Sequence, residues 1–165
     1  MEAAAWGLIG TAVGALSSIG TNWLSNRTTY RIASAKQAAE RQERAREFQR
    51  QTLLDLQQAI HDSMRLVMRA HVEDCRRYRD TQAWGREQIS EEVNEGLRLS
   101  RSKVAILVER LQNDELRLAV KSLIYDSGKT ALAESKHAAE LHLNDLTSQV
   151  TSVLERVGAE FRAHC

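Results

Sequence analysis

The sequence predicts an all-α protein in which an N-terminal transmembrane helix continues into a long helix and packs with three further helices as a small antiparallel bundle. Three observations carry this expectation. Proline is absent from all 165 residues, where an average usage of about 5% would give roughly eight. Aromatic residues make up only 5%, a composition that disfavours strand-rich architectures. Apolar residues recur in steps of three and four along most of the chain, the period of a half-buried helix. A hydrophobic content of 42% is enough for one core of ordinary size.

The first element is "WGLIGTAVGALSSIGTNWLSNR". The 24 residues from Ala3 to Asn26 carry no charge, and about 20 predominantly apolar residues suffice to cross a bilayer core of roughly 30 Å. Trp6 and Trp23 lie seventeen positions apart, or roughly 25 Å along a helix, a spacing that suits indole rings at the two interfaces. Gly7, Gly10, Gly14, Ser17 and Thr21 form a stripe of small residues that includes a GxxxG spacing, through which membrane helices pack closely. The same residues dilute the Leu, Ile and Val that drive insertion, so a buried helix of a soluble protein is the competing reading. A cleaved signal is disfavoured, because no positive n-region precedes the apolar run.

Formal net charge is +1, which provides no global field for nucleic acid or acidic substrates. The distribution is more informative. Residues 27–50 hold seven Lys/Arg and three Glu, and the basic excess directly follows the apolar stretch. Arg27 and Arg31 serve as interfacial anchors and, with Lys36, Arg41, Arg44 and Arg46, place this side in the cytoplasm by the positive-inside rule. The expected organisation is therefore an anchor over 1–26, a charged juxtamembrane helix over 27–50 and a cytoplasmic bundle over 51–165, with the N-terminus outside. Ile32, Ala35, Ala39 and Ala45 form only an alanine stripe among alternating charges, which describes a solvated helix. Its arginines could also hold anionic headgroups, at about 1 kcal/mol per charge near the surface.

The bundle helices follow in order. Leu53, Leu56, Ile60, Met64 and Val67 share one face, extended by His71, Cys75 and Tyr78. "DTQAWGRE" predicts a turn at Gly85 with Trp84 tucked against neighbouring helices. A second helix carries Ile89, Val93, Leu97, Val104, Leu107 and Leu111, weakened near Gly96. Asn113 or Asp114 caps a short third helix bearing Leu116, Ala119, Val120, Leu123 and Ile124, which is expected to stop at Gly128. The last helix is the most regular: Ala139, Leu143, Leu146, Val150, Val153, Val157 and Phe161 alternate by four and three, a heptad seam. Packing within the chain and pairing between chains both fit this seam.

Signatures of chemistry are sparse. The five histidines and two cysteines form no metal-ligand spacing. "DSGKT" lacks the first glycine and the strand of a phosphate loop, and Glu91, Glu92 and Glu95 read as an exposed helical face. Arg65, Arg69, Arg76, Arg77 and Arg79 are offset by Glu73, Asp74 and Asp80, without interleaved aromatics for base stacking. No catalytic, cofactor-binding or metal residue is assigned, and neither a cofactor nor nucleic acid is expected. The partners expected are the lipid bilayer, a second copy of the chain and an unidentified protein.

With "GLIGTAVGALSSIGTNWLSNR", "QERAREFQRQTLLDLQQAI", the lone "AWG" and "VERLQNDELRLAV" in view, the chain resembles small, largely uncharacterised bacterial single-pass membrane-anchored helical proteins with coiled-coil character. The resemblance implies a bacterial origin and inner-membrane attachment, and carries over no functional residue. The expected function is a non-enzymatic adaptor or scaffold at the cytoplasmic face of that membrane. The competing expectation is a membrane-active effector, holin-like or a toxin, that oligomerises through its glycine-rich helix.

Overall fold

The protein is all-α. The structure, a computed structural model, describes residues 2–85 and 89–164, with side chains described from Arg27 onward, Thr28 excepted. Four helices follow one another: α1 (Glu2–Thr81), α2 (Glu91–Val108), α3 (Asp114–Ala131) and α4 (Lys136–Ala163). The chain divides into two compact units, residues 1–45 and 46–165, and α1 contributes to both.

In the first unit the side chains described are exposed, as the alternation of charge and alanine requires. Tyr30 and Ile32 face solvent, and Glu40 pairs with Arg44 one turn on. Among the described residues no helix is long and apolar enough to cross a membrane. The proposed span, with Trp6, Trp23, Gly7, Gly10, Gly14, Ser17 and Thr21, belongs to α1 but lies outside the residues whose side chains are described.

The second unit is an up-down-up-down bundle. Arg69 on α1 grips Glu92 on α2, while Gln49 reaches Arg110 beyond the far end of α2, so α1 and α2 are antiparallel. Lys121 pairs with Glu109 and Gly128 lies against Arg101, which makes α2 and α3 antiparallel in turn. Asn113 bonds Glu160 near the C-terminal end of α4, whereas Ala138 near its start shares a groove with Leu132.

Leu53, Leu56, Ile60 and Val67 from α1 meet Val93, Leu97, Val104 and Val108 from α2, Leu116, Val120 and Leu123 from α3, and Leu146, Val153 and Val157 from α4 in one core. Leu143, Val150 and Phe161, partly buried, pack against it, so the heptad seam of α4 is occupied within the chain. Gly96 marks the close approach of α1 and α2: a Cβ there would sit 3.0 Å from a methyl carbon of Leu66.

Local signals explain the helix ends. The chain leaves α1 through Gln82 (φ 55°) and turns again at Gly85 (φ 67°), a left-handed conformation that glycine adopts without steric cost. Asn113 caps α3 by accepting from the Leu116 amide at 3.0 Å, and its own amide donates to Glu160 at 2.7 Å. Asn113→Ala should therefore lower stability by about 1–2 kcal/mol, read as a lower thermal midpoint with helix content at low temperature retained. Ser135 caps α4 in the same way through the Ala138 amide.

Two expected boundaries shift. Gly128 does not end α3: the helix continues to Ala131, and the Gly128 carbonyl accepts from the Leu132 amide. The continuation carries Thr130, buried like Ser127 one turn earlier on the same side of the helix. Ile89 and Leu111 belong to the flanks of α2 rather than to the helix, although Leu111 is fully packed in the core.

Candidate functional site

The sequence features that raised chemistry are placed by the fold as structural elements. "DSGKT" is helical, within α3; Lys129 pairs with Asp126 at 2.7 Å and stacks over Tyr125, while Thr130 is buried. Glu92 and Glu95 are held below the usual carboxylate range by hydrogen bonds from Arg69 and Arg98 respectively, so both are ionised ion-pair partners rather than proton donors near neutrality. Arg65 pairs with Asp62, and Arg77 with Glu73 and Asp74. Among the described residues no group of three or more His, Cys, Asp or Glu could hold a metal ion.

Cys75 has a histidine neighbour, its Sγ lying 3.4 Å from His71 Nε2. Burial pushes the thiol above its ordinary value, the opposite of the shift that activates a nucleophilic cysteine. The pair belongs to a hydrophobic end-cap. The Trp84 ring lies 6.0 Å from both His71 and Tyr78, and its indole N–H donates to the Ala133 carbonyl at 2.9 Å. Trp84 thereby joins the α1–α2 turn to the α3–α4 connection, the tucked position expected from the sequence.

Glu73 is the electrostatic fastener of the same turn. Its carboxylate accepts from the Ser90 amide at 3.1 Å and from the Ser90 hydroxyl at 3.0 Å, and it faces Arg77 and Arg69. The Ser90 backbone bond, aided by these cations and opposed by partial burial, holds its pKa below the ordinary glutamate value. A carboxylate depressed in the folded state stabilises above its unfolded value, about 4.3, and loses that contribution as pH falls through the folded value. Glu73→Gln should consequently cost more stability at pH 7 than at pH 3, measured as denaturation midpoints of both proteins at the two pH values; equal losses would contradict this role.

Two arrangements remain that the sequence features above did not flag. The first is on the outside of α3. Leu118 and Tyr125 on α3 and Leu132 at its C-cap follow one another at intervals of seven and are 68%, 70% and 83% exposed. Leu118 and Tyr125 lie opposite Leu116, Val120 and Leu123, which face the core. Apolar residues at this spacing form a ridge of the kind that enters a groove on a partner helix. The second is interior. His71 and Asp74 of α1, Arg101 of α2, and Ser127 and Thr130 of α3 line one small cavity whose remaining wall is apolar. Burial pushes the Asp74 carboxyl above its ordinary value, Arg77 and His71 opposing that shift.

Among the expected interfacial anchors, Arg27 and Arg31 are exposed on α1, while Trp6 and Trp23 lie outside the described side chains. The structure thus brings together the α4 seam residues and leaves the proposed membrane set undescribed. No family model matches the chain, and neither a curated protein nor a solved structure matches it.

Proposed function

We propose that the protein is a non-enzymatic adaptor, held at the cytoplasmic face of a bilayer by residues 3–26 and offering the outer face of α3 to an amphipathic helix of a partner protein. The observation that carries the adaptor reading is the ridge of Leu118, Tyr125 and Leu132, three large apolar side chains left in solvent at heptad spacing by a bundle whose own seam is filled. Single exposed apolar residues are ordinary on protein surfaces; a regular row along a helix and its C-cap is a pattern of helix recognition. Support for the anchor comes from the uncharged 24-residue stretch followed immediately by basic residues.

The ridge is tested by placing a photo-crosslinking side chain at Tyr125 in the full chain in its native membrane. The expected result is one discrete adduct that disappears when Leu118→Lys is added, with membrane retention unchanged. An adduct insensitive to Leu118→Lys, or none, would overturn the ridge as the recognition surface. An adduct of twice the mass of the chain would assign the ridge to self-association instead. Collapse of membrane potential on expression of the full chain would contradict the adaptor reading and favour a membrane-active effector.

A further inference from the structure

Where α1, α2 and α3 meet, three buried polar atoms have no hydrogen-bond partner in the protein: His71 Nδ1, Arg101 Nε and Thr130 Oγ1. They come from three different helices and their residues line the same cavity, whose other walls include Val67, Ala70 and Leu97. Thr130 is only 5% exposed. Buried polar groups are nearly always paired, so three on one cavity point to a shared ligand.

The chemistry of the three atoms defines that ligand. Arg101 Nε can only donate, so the ligand must accept. His71 Nδ1 accepts when the ring proton is on Nε2, which faces the Cys75 sulfur, and donates in the other tautomer; it needs a partner in both. The Thr130 hydroxyl can do either, whereas the Ser127 hydroxyl is already committed to the Ile124 carbonyl at 2.6 Å. A ligand that can both donate and accept satisfies all three atoms in either histidine tautomer. The open volume is about 10 Å³, room for a single water and for nothing larger. The Asp74 carboxyl in the same wall opposes an anion.

We propose that this joint binds one ordered water molecule, which accepts from Arg101 Nε–H and bridges to His71 Nδ1 and Thr130 Oγ1, tying the first three helices of the bundle together. The water is part of the fold: it links helices whose remaining contacts there are apolar, and it gives the half-buried guanidinium of Arg101 a partner inside the bundle.

The test is a crystal structure of the full chain, together with oxygen-17 magnetic relaxation dispersion, which counts long-lived internal waters in solution. The expected result is a density peak within hydrogen-bond distance of all three atoms, and a dispersion amplitude that falls by one water in Thr130→Val but not in Thr130→Ser. Direct pairing of the three atoms with protein groups, or an apolar void at the joint, would overturn the proposal. Equal amplitudes for wild type and Thr130→Val would overturn it as well. Should Thr130→Val fail to fold, the wild-type density decides alone.

Discussion

Leu146→Ala is expected to destabilise the bundle by about 2–5 kcal/mol, the range for truncating a fully buried leucine where the surroundings relax only in part. Leu146 sits mid-way along α4 with no exposed surface and is part of a core fed by all four helices. Removing its isobutyl group strips contacts from α4 and leaves a cavity that neighbours on other helices cannot all follow. The matched control is Leu141→Ala on the same helix, a residue 52% exposed, where the change should stay within about 0.5 kcal/mol. Thermal melts followed by circular dichroism separate the two, and a loss below about 1 kcal/mol for Leu146→Ala would contradict the assignment of the α4 seam to the interior of a single chain.

The second large effect is expected at Gln49, where a polar side chain fastens the far end of the bundle. It is 4% exposed; its amide donates to the Arg110 carbonyl at 2.9 Å and its carbonyl accepts from the Gln112 amide at 3.3 Å. Both backbone groups belong to the tight connection between α2 and α3. Gln49→Leu keeps the bulk but leaves the two groups without their side-chain partner, which should cost about 2 kcal/mol. Hydrogen exchange gives the direct readout: the Gln112 amide should lose protection in Gln49→Leu while amides in the middle of α4 change only with global stability. Unchanged protection at Gln112 would show that the connection is held by other contacts.

The elements legible in the sequence are those set by local rules. The α4 seam follows from steps of four and three, the α3 cap from Asn113 placed before an apolar run, and the turn from Gly85, each a pattern within a few residues. Trp84 could be placed because a large aromatic beside a turn has only the bundle to pack on. The end of α3 is misplaced by the rule that glycine stops a helix, because the helix carries on past Gly128 with Thr130 against the core. Gln49 and its partners lie 61 and 63 residues apart, and no local pattern announces such a bond.

The interior cavity was hidden for the same reason. His71 stands on the apolar face of α1, but Arg101 and Thr130 are ordinary helix-surface residue types, and only tertiary packing brings them beside it. The ridge on α3 is different. Leu118, Tyr125 and Leu132 stand at strict intervals of seven, a signal present in the sequence but overshadowed by the stronger core-facing period of the same helix. An exposed apolar period beside a buried one is the residue-level trace of a second surface.

The central claim is that residues 3–26 hold a helical adaptor to a bilayer. Its most direct test is fractionation of cells expressing the full chain and a version lacking residues 1–25, with carbonate extraction of the membrane pellet. The account predicts that the full chain stays in the extracted pellet and the truncated chain moves to the supernatant, folded, with its α-helical spectrum and cooperative melt intact. Recovery of the full chain in the supernatant would contradict the claim and make the apolar stretch a packing helix instead.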